Sequence, residues 1–200
     1  SILWSLSWVN DLFPKWNWKF NFLIIINSYI SSYRKIIAWA LIILSIILGM
    51  YTGILLSAFN ARPFWNSAIM GPLFLTSGLS ASASIIILFS KSKIEKHLFT
   101  KIDLMLIITE LFFIIHLFMG YLAGTKVHIE AANLFLGGAY TTSFWIFVVI
   151  LGLILPLILE IIELRGKPVP PLITTSLILF GSLMLRFIVV EAGQFSRWLY

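Results

Sequence analysis

Among the ionisable residues that interrupt long apolar stretches of this chain are Asp103, Glu110, His116, Arg186 and Glu191. Asp103 and Glu110 stand seven residues apart, two helical turns, so a helix projects both from one face as a carboxylate ladder able to pass protons. Asp103 is near enough to a polar loop to need no special explanation, whereas Glu110 lies roughly 12 Å further in by the helical rise. His116 is deeper still, and its ring suits either a proton relay or a bond to a serine on a neighbouring helix. Arg186 breaks the run Leu183-Met184-Leu185 and Phe187-Ile188-Val189. An ionisable side chain in hydrocarbon costs at least a few kcal/mol without a partner or water, so Arg186 is expected to face the interior and bind an anionic or carbonyl group. The plainer alternative is an arginine that snorkels to the headgroups beside a surface glutamate. Glu191 follows by five residues, offset around the helix, and need not pair with Arg186.

These residues are carried by five apolar segments, Ile36 to Phe59, Trp65 to Phe89, Ile102 to Gly124, Thr141 to Glu163 and Pro171 to Ala192. About 20 apolar residues cross a bilayer as a helix, and all five are long enough. The expected fold is an all-α membrane protein, a polytopic bundle of about five transmembrane helices. The segments lack the polar stripe of a soluble helix. Hydrophobic residues make up 60% of the sequence and charged residues 11%, which places the lipid bilayer, rather than water, around the helices. The net charge of +6 does not point to nucleic acid, because the basic residues sit in loops and mark orientation.

Alternate loops differ in basic content. One side holds Arg34, Lys35, Lys91, Lys93, Lys96, Lys101, Arg165 and Lys167; the other holds Arg62, Lys126 and Arg197. The richer side is expected to face the cytoplasm, which puts Tyr51, His116, Arg186 and Glu191 in the outer half of the membrane and Asp103 and Glu110 in the inner half. Residues 1–35, with Trp4, Trp8, Trp16 and Trp18 among polar residues, read as an interfacial segment holding the remnant of an earlier helix at Phe20 to Tyr29. The domain of five spans then occupies residues 36–200. The sequence starts at Ser1 without methionine or a cleavable signal pattern, and an incomplete N-terminus is expected.

Cysteine is absent, so thiolate ligation of an iron–sulfur cluster belongs to a partner. Of three histidines only His116 lies within a span, and His97 and His128 fall in loops, so paired axial ligands for two haems cannot be built. No metal-ligand cluster, phosphate loop or serine-nucleophile motif is present. The small residues Ser77, Gly78, Ser80, Ala81, Ser82, Ala83 and Ser84 predict close helix packing, and Pro72 and Pro156 predict kinks. Thr125 to Tyr140 is too polar to span and reads as an outer loop or short surface helix covering a pocket.

The run Tyr51-Thr52-Gly53-Ile54-Leu55-Leu56, the element Ala61-Arg62-Pro63-Phe64-Trp65-Asn66, the stretch Ser77-Gly78-Leu79-Ser80-Ala81 and the ending Leu185 to Gln194 resemble the NrfD-type membrane subunit of polysulfide reductase and related respiratory complexes. The resemblance covers about Ile36 to Gln194. It implies a haem-free subunit, non-catalytic alone, in the cell (inner) membrane. Such a subunit exchanges electrons between a quinone of menaquinone or ubiquinone type and an iron–sulfur partner subunit, itself bound to a molybdopterin or multihaem catalytic subunit. It also implies a quinone site toward the outer face with Tyr51 as hydrogen-bond partner, joined here with Arg186 and Glu191. Family members commonly have eight or more spans, so the five read here are expected to be the C-terminal part of a larger bundle. Phe187 stands where a tyrosine is usual. Two other classes are carried alongside: a membrane anchor without a quinone site, and a transporter, although the halves show no convincing internal repeat.

Overall fold

The computed structural model describes residues 32–196. The expected interfacial segment up to residue 31, including the helix remnant expected at Phe20 to Tyr29, and Arg197 lie outside the described residues. The protein divides into two compact units, Ser1–Leu48 and Gly49–Tyr200. In the first unit the described residues are the opening turns of α1 (Arg34–Ser57). The second holds the end of α1 followed by α2 (Met70–Phe89), α3 (Lys93–Leu122), the short α4 (Lys126–Asn133), α5 (Thr141–Leu164) and α6 (Pro171–Phe195). Among the described residues there are helices and no strands, and five helices, α1, α2, α3, α5 and α6, are long and apolar enough to cross a membrane.

Two helix starts differ from the hydrophobic pattern. α2 begins at Met70 rather than Trp65, because residues 58–69 are wound into successive turns around Pro63, whose ring disfavours helical geometry at Arg62. Pro72 therefore sits in the first turn of α2, where its missing N–H has no intrahelical acceptor to lose, and it opens the helix instead of bending it. α3 begins at Lys93, nine residues before the apolar run, because Ser92 caps it by accepting the N–H of Glu95 at 3.5 Å. The Glu95 carboxylate in turn accepts from Ser90 at 2.7 Å.

Pro156 acts differently from an ordinary kink. The eleven residues Phe144–Ile154 are π-wound, and the helix returns to α geometry at Leu155, directly before the proline. The wider winding makes room for a ring that would otherwise press on the carbonyl of residue 152.

In the second unit α2 packs on α3 and α6, α6 on α5, and α5 on α3, closing a ring of four helices. Small residues set the closest approaches: a side chain at Gly53 would meet the backbone of Gly71 at 2.5 Å, and one at Gly152 would meet Gly181 at the same distance. The end of the bundle near α4 is filled by rings, with Phe64 stacked on Phe135 at 4.6 Å and Phe118 and Phe144 edge-on to Phe135. The predicted surface element over this end is thus α4 and the turns that follow it.

Candidate functional site

The element Ala61 to Asn66 is a clamp on the last helix. Trp65 donates its indole N–H to the Val189 carbonyl at 3.0 Å, and the backbone N–H of Phe64 donates to the Ser196 hydroxyl at 3.3 Å. Arg62 donates to the carbonyls of Gln194 and Ser196, where a cation offsets the negative end of the α6 dipole. Tyr121, on the last turn of α3, donates its phenol hydrogen to the Phe64 carbonyl. A methyl group at Gly193 would overlap the Trp65 ring, so that glycine is part of the same device.

Inside the ring of four helices runs a file of buried polar side chains. Arg186 points inward from α6, as expected. Its guanidinium donates to the carbonyl of Ser182 at 2.8 Å and to the Ser182 hydroxyl, and across to the Phe74 carbonyl of α2 at 3.3 Å. It also stands over the Phe74 ring, 5.7 Å from the centroid. Gly78 clears the approach, since a Cβ there would lie 3.4 Å from the guanidinium. Glu110 of α3 is buried within reach of the charge on Arg186 without forming an ion pair with it. Ser77 links these groups: its hydroxyl donates to Ser182 at 3.0 Å and lies within hydrogen-bonding reach of Glu110, with one hydrogen to give.

Two turns along α3 from Glu110, Asp103 is fully buried and accepts from Ser80 at 2.5 Å. Opposite it on α5 stands Glu160, also fully buried and within hydrogen-bonding reach. Glu160 is not evident from the sequence because it stands beside Glu163 near the end of an apolar run and resembles a boundary. Its signal is spacing: Val149, Leu153, Pro156 and Glu160 follow one helical stripe, all buried. Beyond the pair, toward the lysine-rich loops, Lys93, Lys96, His97, Thr100, Glu163 and Leu164 line a cavity of about 180 Å³.

Three of the residues singled out in the sequence lie away from the buried file. Tyr51 is 55% exposed and makes no hydrogen bond among the described residues. Gly49 and Gly53 turn toward α2, and Tyr51, two residues or about 200° from each, faces the opposite way. His116 does not reach a serine of α2. It is exposed, its Nδ1 contacts the Phe112 carbonyl of its own helix at 3.1 Å, and its ring lies 3.9 Å from that of Phe112. Six residues from Glu110 rotate it about 120° off the buried face. Glu191 is exposed at the end of α6 near Tyr140, in the loop before α5. Burial and the adjacent Glu191 carboxylate, which disfavours a second negative charge, hold the Tyr140 phenol above its ordinary value.

Tyr51, Arg186 and Glu191 therefore share the half of the helices near the Arg62 clamp but do not converge on one niche. Among the described residues no cluster of His, Asp and Glu could hold a metal ion.

A bundle of apolar helices enclosing three acids, several hydroxyls and one arginine defines a multi-pass membrane protein with a polar interior. The family model described as "Polysulphide reductase, NrfD" matches residues 2–196, and the protein belongs to this family. It is 32% identical over 165 residues to Protein NrfD of Escherichia coli, a match covering 78% of the present sequence and 52% of that protein. It is 30% identical over 198 residues to the NrfD homolog of Haemophilus influenzae, covering 94% and 60%. It is 33% identical over 164 residues to the C subunit of polysulfide reductase from Wolinella succinogenes, covering 76% and 51%. The sequence thus spans between half and three-fifths of the length of these curated relatives. No solved structure gives a significant match.

Proposed function

We propose that this protein is the quinone- or quinol-interacting membrane subunit of a respiratory oxidoreductase in the inner membrane. In this reading it exchanges electrons with an iron–sulfur partner subunit and anchors that partner, with its molybdopterin or multihaem catalytic subunit, to the bilayer. Membership of the NrfD family and the name of the Wolinella relative, a polysulfide reductase subunit, support it.

The observation that carries the reading is Tyr51. Its phenol projects from a membrane-spanning helix, away from α2, and has no hydrogen-bond partner among the described residues. A hydroxyl left unpaired in hydrocarbon costs a few kcal/mol, so a partner carried by the membrane itself suits this position. A quinone head group reaches the protein through the lipid and presents a carbonyl oxygen that a phenol can donate to. That oxygen is where Tyr51 fits the group. Arg186 and Glu191 do not fit the same ring, since Arg186 is spent on Ser182 and Phe74 and Glu191 stands by Tyr140. In this reading they support the site from a distance, Arg186 by holding positive charge in the interior and Glu191 as a proton-exchanging group at the outer end. When bound, the quinone supplies two-electron, two-proton redox chemistry. The protein itself supplies a donor at Tyr51 and an inner file of proton-bearing groups, Asp103 and Glu110, with His116 outside it.

Replacing Tyr51 with Phe in the assembled complex should lower quinol-dependent turnover about tenfold or more while leaving complex assembly intact. Turnover and quinone affinity equal to the unmodified protein would defeat the assignment and favour a plain anchor, for which the buried file would be unnecessary.

A further inference from the structure

We infer that Asp103 and Glu160 hold one proton between them across the α3–α5 contact, and that this site exchanges protons with the lysine-lined end of the bundle through the cavity beside Glu163. It rests on the membrane-subunit reading for its use, though not for its existence.

The argument begins from hydrogen-bond accounting. Both side chains are fully buried and face each other, Asp103 accepts one hydrogen bond from Ser80, and Asp103 Oδ2 and both oxygens of Glu160 have no donor among the described residues. Ionised carboxylates only accept, so two of them in contact repel and leave three oxygens unsatisfied in a dry interior. One added proton removes the repulsion and pairs two of the three oxygens. The protonated acid donates to its partner, the pair carries a single negative charge, and Ser80 stabilises that charge at Asp103.

Charged neighbours do not offer another solution. From α3 the next titratable group acting on Asp103 is Glu110, and from α5 the next acting on Glu160 is Glu163; both are acidic. α2 contributes the neutral Ser80. Lys96 and the imidazole of His97 act on Glu163, one turn nearer the end of the bundle, and Arg186 of α6 acts on Glu110 instead. Among the described residues no cation therefore balances a doubly ionised pair.

Access follows from helical spacing. Thr100 is three residues before Asp103 on α3, and Glu163 is three residues after Glu160 on α5, so each lies on the same face as the acid it precedes or follows. Thr100 and Glu163 both line the 180 Å³ cavity with Lys93, Lys96 and His97. A proton taken from that cavity by Glu163 passes to Glu160, and Glu163 returns to the carboxylate it was. The pair then gives up the proton it held before, from Asp103 toward Ser80, and is left with one again.

The test is infrared spectroscopy of the lipid-reconstituted complex containing the full-length subunit, without quinol, at neutral pH. A protonated-carboxyl C=O band should be present and should shift on transfer to deuterated water. It should be lost or moved by Glu160→Gln and by Asp103→Asn. Ser80→Ala, which keeps both acids, should move the same band and covers the case in which either acid variant fails to assemble. A carboxyl band unchanged in all assembled variants, or one that never exchanges with deuterated water, overturns the proposal. Because quinol is absent from this measurement, its outcome is separate from that of the Tyr51→Phe turnover assay.

Discussion

Trp65 and Gly193 form a lock in which the indole occupies the space a side chain at residue 193 would fill, while its N–H is bonded to Val189 one turn earlier at 3.0 Å. Gly193→Ala should cost about 1–3 kcal/mol through overpacking that neither backbone nor ring can relieve cheaply. Trp65→Phe should cost at least the lost hydrogen bond, about 0.5–1.5 kcal/mol. Because both changes break the same contact, the double variant should cost less than their sum. Thermal unfolding in detergent measures all three, and strict additivity would contradict the lock.

Arg62 ties the turn before α2 to the end of α6 through the carbonyls of Gln194 and Ser196. Arg62→Gln should loosen the last turn of α6 by about 1 kcal/mol, since the site is partly exposed and its charge partly screened. Hydrogen exchange at residues 192–196 should speed up several-fold while exchange in the middle of α6 stays constant. Equal rates throughout would show that the clamp contributes nothing.

The crossing of α5 and α6 at Gly152 and Gly181 leaves no room for a side chain on either. Gly181→Val should force the helices apart and abolish accumulation of folded protein. Gly166→Val, at a loop glycine with φ +86° and open surroundings, should be destabilised only by backbone strain of about 1–2 kcal/mol. Comparing the folded yields of the two variants in membranes separates a packing glycine from a conformational one.

Tyr140 provides a pH signature for the end of the bundle near α4. Its phenol titrates above its ordinary value of 10.0, through burial first and the charge of Glu191 second. A group whose folded-state value is raised contributes stability that is present below its unfolded value and lost as pH rises through the folded one. The protein should therefore lose stability at strongly alkaline pH. Glu191→Gln should lower the Tyr140 titration midpoint, read from phenolate absorbance. A midpoint unmoved by that change would mean that Glu191 does not act on the phenol.

Much of the architecture was written in composition. Twenty or so consecutive apolar residues admit few alternatives in lipid, because each backbone group must find its partner within the segment. Helix ends were less legible. The start of α3 at Lys93 depends on the Ser92 cap, in a stretch too polar to register as part of a span, and the start of α2 at Met70 depends on the turns around Pro63. The π-wound stretch before Pro156 was invisible for another reason: the proline announces a lost hydrogen bond but not how the backbone absorbs it.

The candidate site divides along the same line. That Asp103 and Glu110 share a face of α3 follows from a separation of seven, whereas for Arg186 residue order left a choice between the interior and the headgroups that the contacts with Ser182 and Phe74 resolve. Periodicity places a residue on its own helix but says nothing about which helix stands opposite. The meeting of Asp103 with Glu160, 57 positions later, the turning of Tyr51 away from α2, and the isolation of His116 were decided by how the helices of the second unit pack. Small-residue contacts at Gly53, Gly71, Gly152 and Gly181 set that packing, and only the assembled bundle reveals it.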